Sequence, residues 1–307
     1  MKKVVAVAPY NHGVNFKMQV YDAWVKMGGE TMPSHYPWRL FHRFAYNYEL
    51  PTIPKNNDIA QLRFVEPVSL SFDTFPDYAR YEIIPLVWDC WPIFFEKTCR
   101  WFVKHDVKTA IFTSSQTAER MRERFPNMNI MTITEGIDTS LYKPGKELKY
   151  RKIDLLEFGR NNGYLFKKPL PSRFNHIYSK GGRLFVNNAD FYNALQDTKI
   201  TICVPRCDVQ PEVTGGIETL TQRYWENMLS RIIMIGRAPK ELTELIGYNP
   251  VVDLNKENIY GQILDVFENI EEYQNLVNKN FDTAMKKGNW RERIIQIQKF
   301  LYNLEYK

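Results

Sequence analysis

Short apolar runs alternate with longer amphipathic stretches along nearly the whole chain, and this alternation constrains the fold more than any other feature. In the first half, residues 4–8, 83–87, 109–113 and 129–133 predict buried strands. Between them, residues 15–27 and 93–104 predict amphipathic helices. A third helix runs to about residue 124, with Ser114 or Ser115 as its cap. Gly28-Gly29 closes the first helix, and residues 36–48 could form another that the prolines at 51 and 54 end. The second half repeats the pattern. Strands are expected at 153–158, 184–186, 200–204, 232–235 and 250–252. Helices are expected at 220–229, 240–246, 259–270, 273–286 and 290–304.

Such alternation requires parallel sheets covered by helices on both faces. The polar turn from Glu135-Gly136-Ile137-Asp138 to Lys143-Pro144-Gly145 divides the two series. The fold class is therefore α/β, with one Rossmann-like domain over 1–144, a second over 145–288, and a closing helix over 289–307. Ligands of open α/β sheets bind at the carboxyl ends of strands, so a cleft between the two domains is the expected site.

The 307 residues are 44% hydrophobic and 25% charged, with only 15 Gly and 17 Pro, which excludes collagen-like and disordered classes. A net charge of +6 admits an acidic or phosphorylated ligand. The basic residues are scattered, with only short groups such as Lys286-Lys287, which argues against nucleic acid as a partner. No apolar run approaches the length of a membrane span. Cys90, Cys99, Cys203 and Cys207 lack a second metal-ligand pair and fit reduced thiols, so no metal site and a cytoplasmic location are expected. Phe94, Phe95, Trp101 and Phe102 lie at helical spacing. They either fill a core or present a face to a lipid-linked acceptor, which would add peripheral contact with the inner membrane face. His105 ends that helix, where positive charge is favoured, and takes no chemistry.

The most informative segment is residues 213–235, VTGGIETLTQRYWENMLSRIIMI. Glu218 falls in a loop behind Gly215-Gly216, and Glu226 in the helix that follows. The loop-to-helix junction offers backbone N–H groups to an anion. Carboxylates accept hydrogen bonds from hydroxyls, such as those of a sugar or a ribose. A nucleotide sugar suits both halves of that arrangement, with Glu218 on the hexose and Glu226 on the ribose.

Here the chain resembles the family-4-like retaining glycosyltransferases of the two-lobed GT-B fold, in which a Glu-x7-Glu motif enters a helix that leads to a strand. Phe158-Gly159-Arg160 is similar to the Gly-Arg that ends the first strand of that family's second domain, and the 135–144 turn to its interdomain turn. Thr219-Leu220-Thr221 stands where the family commonly has Gly-Phe-Gly, and Arg223-Tyr224-Trp225 resembles a divergent branch. The resemblance implies a hexosyltransferase that takes a nucleotide diphosphate sugar as donor, acts with retention and needs neither metal nor other cofactor. Its acceptor would be a glycan or a lipid-linked sugar, in polysaccharide biosynthesis. It implies that the final helix, opened by Trp290, crosses back to the first domain, which binds the acceptor. Donor contacts then fall to Glu226, Arg223, Lys167 (or Lys168), Thr219 and Gly216, with Glu218 and Arg160 at the reacting centre. Arg223 either meets the diphosphate or pairs with Glu218 or Glu226.

In the first domain, Asn11-His12-Gly13 is either an acceptor-side loop whose Gly13 N–H nears the donor or an ordinary turn. Asp89, at a strand's carboxyl end, is either an acceptor-binding or base-like group or a helix cap before Pro92. Trp88 and Trp91 could stack on a sugar or pack in the core. Alternative functions on the same architecture are a sugar-nucleotide epimerase, a phosphorylase, or a non-catalytic nucleotide-sugar-binding protein.

Overall fold

The computed structural model describes residues 1–9, 16–34, 41–42, 54–159, 170–179 and 184–306. The chain divides into two compact units. The first comprises Met1–Glu135, Glu212–Ile217 and Trp290–Lys307, and the second Gly136–Pro211 and Glu218–Asn289.

The first unit holds a parallel sheet of six strands in the order β2-β1-β3-β4-β5-β6. These are β1 (Lys3–Val7), β2 (Glu30–Met32), β3 (Ile59–Val65), β4 (Glu82–Val87), β5 (Thr109–Phe112) and β6 (Asn129–Thr132). Every residue of β4 and β5 is buried, as a strand covered on both faces requires. Helices Phe16–Lys26, Pro92–Lys104 and Ser115–Arg124 connect successive strands, and the Ser114 hydroxyl caps the last by accepting the Thr117 N–H. The helix Trp290–Asn303 belongs to this unit, where Trp290, Ile294, Ile297 and Leu301 join Val4, Leu62, Leu86 and Trp88 in one core.

β2 and β3 escape the apolar-run criterion for different reasons. β2 is a three-residue edge strand. In β3, IAQLRFV, Gln61 and Arg63 interrupt the run, yet both are buried. Arg63 is accommodated there because its guanidinium donates to Asp77 (2.9 Å) and Gln61 (3.0 Å). The helix expected over 36–48 falls outside the described residues apart from Phe41 and His42.

The second unit holds a parallel sheet of five strands in the order β11-β10-β9-β7-β8. Its strands are β7 (Ile153–Glu157), β8 (His176–Tyr178), β9 (Thr198–Cys203), β10 (Ile233–Gly236) and β11 (Val252–Asp253). The expected strand at 184–186 is not formed: Val186 is exposed, and Phe185 packs as irregular chain against Phe191. β8 takes the edge position beside β7 instead. The helices are Asn188–Gln196, Gln222–Leu229, Lys240–Ile246, Ile259–Glu268 and Gln274–Lys287, with shorter turns at Arg206–Val209 and Pro211–Thr214.

His105 corrects an expectation of charge. It packs against the rings of Tyr78 (4.2 Å) and Trp101 (4.6 Å), and burial pushes its pKa down to about 4. The imidazole is therefore neutral at the helix end. All four cysteines are free thiols, and burial raises Cys90 and Cys203 to about 12. No helix among the described residues is long and apolar enough to cross a membrane. Among the same residues no group of three or more His, Cys, Asp or Glu could hold a metal ion.

Candidate functional site

In the second unit the candidate groups collect where the parallel strands end. β7 runs into Phe158 and Gly159. Gly159 has φ +72°, and a side chain there would meet the Arg223 guanidinium at 2.4 Å. Only glycine satisfies both the left-handed backbone and that approach. Arg223 lies in the first turn of helix Gln222–Leu229, and its guanidinium also covers the Phe158 ring at 5.8 Å. The cap residue Thr221 makes no side-chain cap bond to this helix. Arg223 thus brings a positive charge and a helix N-terminus together at the end of β7.

Glu226 lies one turn further along the same helix and is half-buried. The Tyr142 hydroxyl donates to its Oε1 at 3.0 Å, and Tyr192 packs edge-on against Tyr142 at 5.0 Å. Burial raises the Glu226 pKa, while the Tyr142 hydrogen bond and the Arg223 charge pull it down. Tyr142 is held well above the ordinary phenol range by burial and by that carboxylate. The motif-bearing turn at 142–144 and the second Glu of Glu-x7-Glu are therefore one hydrogen-bonded unit.

Glu218 is engaged elsewhere. Its Oε2 accepts from Arg237 Nη1 at 2.5 Å, and its Oε1 from the backbone N–H of Lys240 at 2.7 Å. Arg237 follows β10 directly and also grips Asp208 through two hydrogen bonds, which hold the Asp208 carboxyl below its usual range. Thr219 is buried, and the neighbouring Leu220 N–H donates to Glu241. Gly216 is exposed with φ +82° and open space around its Cα. Gly13, Arg160 and Lys167 lie outside the described residues.

In the first unit, Asp89 lies two residues beyond β4 in the left-handed conformation, φ +50°. It is not the cap of the following helix: Trp91 holds that position, and its N–H donates to the Asp89 carbonyl. Trp88 and Trp91 are both buried, which settles them as core. The Trp88 indole N–H donates to Glu135 at 3.2 Å.

Sequence reasoning missed Tyr192, Asp208 and Arg237. Arg237 carries the signal that drew attention to Arg160 and Asp89, a charged residue at the end of a buried strand. Asp208 and Tyr192 carry none, because only folding brings them beside Arg237 and Tyr142.

No family model matches the chain, and neither does any curated protein. Solved structures do. Sucrose-phosphate synthase (tll1590) from Thermosynechococcus elongatus superposes with a TM-score of 0.59 at 10% identity, over 99% of both chains. AviGT4, a glycosyltransferase of avilamycin A biosynthesis, gives 0.53 at 11% identity over 99% of this chain and 98% of its own. TarM gives 0.55 at 12% identity over 86% of this chain, which spans 58% of TarM's length. A TarM mutant structure holds fondaparinux, α-GlcNAc-glycerol and UDP, and superposes at 0.53 with 13% identity. Identity this low speaks to the fold. Two parallel-sheet α/β units, with the last helix returned to the first, give this chain the GT-B fold of those glycosyltransferases.

Proposed function

We propose that the chain is a glycosyltransferase that moves a hexose from a nucleotide diphosphate sugar to a hydroxyl acceptor, with retention at the anomeric carbon. The observation that carries this reading is the assembly of Gly159, Arg223 and Glu226 where β7 ends. The Arg223 guanidinium and the helix N-terminus favour a diphosphate, and Glu226 offers a hydroxyl acceptor within one helical turn.

The chemical difficulty is departure of a charged leaving group from an oxocarbenium-like centre. Arg223, together with Arg160 and Lys167 from the chain after β7, would stabilise the departing diphosphate. Because side chains supply that charge, the reaction is proposed to need no metal. Glu226 fixes the nucleoside through its ribose, with Tyr142 holding one carboxylate oxygen in place. Glu218 orients the hexose, and Asp89 serves the acceptor. The acceptor is a glycan or lipid-linked sugar in polysaccharide biosynthesis, met in the cytoplasm or at the inner membrane face.

Thermal unfolding with a panel of UDP-, GDP-, ADP- and dTDP-hexoses tests the reading. At least one should raise the Tm, and Glu226→Ala should abolish the rise. A wild-type Tm that no member of the panel moves would overturn it.

A further inference from the structure

Arg237 is fixed more firmly than an exposed arginine needs to be. Its backbone N–H donates to Cys203 (3.1 Å), and its carbonyl accepts the Tyr224 hydroxyl (2.6 Å). Its Nε and Nη2 donate to the two oxygens of Asp208 at 2.8 and 2.7 Å. Nη1 reaches Glu218 at 2.5 Å, and Nη2 also reaches the Cys207 sulfur at 3.5 Å. A guanidinium has five N–H groups. Four are accounted for, and the second Nη1–H meets no acceptor among the described residues. The side chain is still 42% exposed, and Glu218, beside that N–H, is 16% exposed.

A rigid N–H donor beside a rigid carboxylate matches a hydroxyl, which donates to one and accepts from the other. Asp208 and Glu218 already match the Arg237 charge, with Lys256 as a further cation acting on Asp208, so the cluster offers no surplus positive charge to a carboxylate or a phosphate. We propose that Arg237 is a specificity-determining residue for the transferred sugar: with Glu218 it reads hydroxyls of a neutral hexose and rejects a uronic acid. This rests on the glycosyltransferase reading above. The recognition is set by position rather than charge alone, because Lys cannot reproduce the two-pronged grip on Asp208 that aims Nη1 at Glu218. A site built to hydrogen-bond hydroxyls discriminates strongly against analogues that leave its polar groups unmatched.

Calorimetric titration tests it with UDP-, GDP- and ADP-glucose, UDP-glucuronate and the bare nucleoside diphosphates. In the wild type, the best nucleotide hexose should bind about tenfold or more tightly than its nucleoside diphosphate, and UDP-glucuronate should not share that advantage. Arg237→Lys should erase the advantage and leave the nucleoside diphosphate within about twofold of wild type. Asp208→Asn, which keeps the guanidinium but loosens it, should erode it partly, and serves if Arg237→Lys does not fold. Equal weakening of hexose and bare nucleotide, or glucuronate binding as tight as glucose, would overturn the assignment to Arg237. Failure of every nucleotide to bind the wild type would instead overturn the glycosyltransferase reading, and this inference with it.

Discussion

Glu226 meets two opposed demands. As the proposed partner of a ribose hydroxyl it accepts best when ionised, yet burial holds its pKa above the ordinary 4.5. The folded protein therefore keeps this proton to a higher pH than the unfolded chain does. Stability from this group is greatest below pH 4.5 and is lost as pH rises through the raised folded value. Glu226→Gln removes the charge and keeps an acceptor for Tyr142. Its ligand-free Tm should exceed wild type by a few degrees, about 2–4 °C for each kcal/mol recovered, at pH 8. The gain should vanish towards pH 4.5, and nucleotide affinity should fall about tenfold or more. Melting curves across pH, paired with titration, check both arms.

His105 gives the opposite slope. Its folded pKa of about 4 lies below the ordinary 6.5, so stability is lost as pH falls between those values and levels off below pH 4. Replacing it with Phe should flatten that part of the pH–stability curve, as read by urea midpoints. Neither behaviour is legible in the sequence. There His105 reads as a charged helix end, and Glu226 as one half of a spacing. What the spacing did reveal is that Glu226 stands one turn beyond Arg223. Arg237 was within reach of the strand-end rule that picked out Asp89, but no motif marked it.

At the scale of elements, the turn from β7 into Phe158-Gly159 does the most positioning. Gly159→Ala places a Cβ on a left-handed residue, at a cost of about 1–2 kcal/mol, and pushes Arg223 off the strand end. It should lower the denaturation midpoint accordingly and weaken nucleotide sugar binding beyond what stability loss explains. Binding measured well below the Tm separates the two effects. Strands covered on both faces, such as β4 and β9, were legible because nothing polar interrupts them for long. β3 was not, since its buried Arg63 is tolerated through partners such as Asp77, fourteen residues on, that the strand itself does not reveal. The strand expected at 184–186 does not form, because Leu184 and Phe185 pack as irregular chain against the core beside helix Asn188–Gln196.

For the molecule as a whole, the alternation of strands and helices foretold two parallel sheets, and the structure has them. The last helix is not an appendage to the first unit. Trp290, Ile294, Ile297 and Leu301 are each at most 3% exposed. Each such side chain contributes about 1.5–3 kcal/mol on burial, and a domain's net stability is only about 5–15 kcal/mol. A chain ending at Asn289 should therefore lose cooperative folding of the first unit, while amides of the second unit stay protected in hydrogen exchange. Slow exchange persisting in β1, β3 and β4 would contradict this.

The bridge between Lys2 and Tyr306, with the Tyr306 hydroxyl bound to Glu82 and Thr109, joins the two ends of the described chain in one unit. On the ribosome this reverses the usual order of maturation. The second unit, residues 136–211 and 218–289, can close a sheet of its own while residues 290–306 are still being made, whereas Glu82 and Thr109 gain their Tyr306 partner only afterwards. The unit begun first is completed last, and until then its apolar surface over β1, β3 and β4 is what a nascent-chain chaperone would meet.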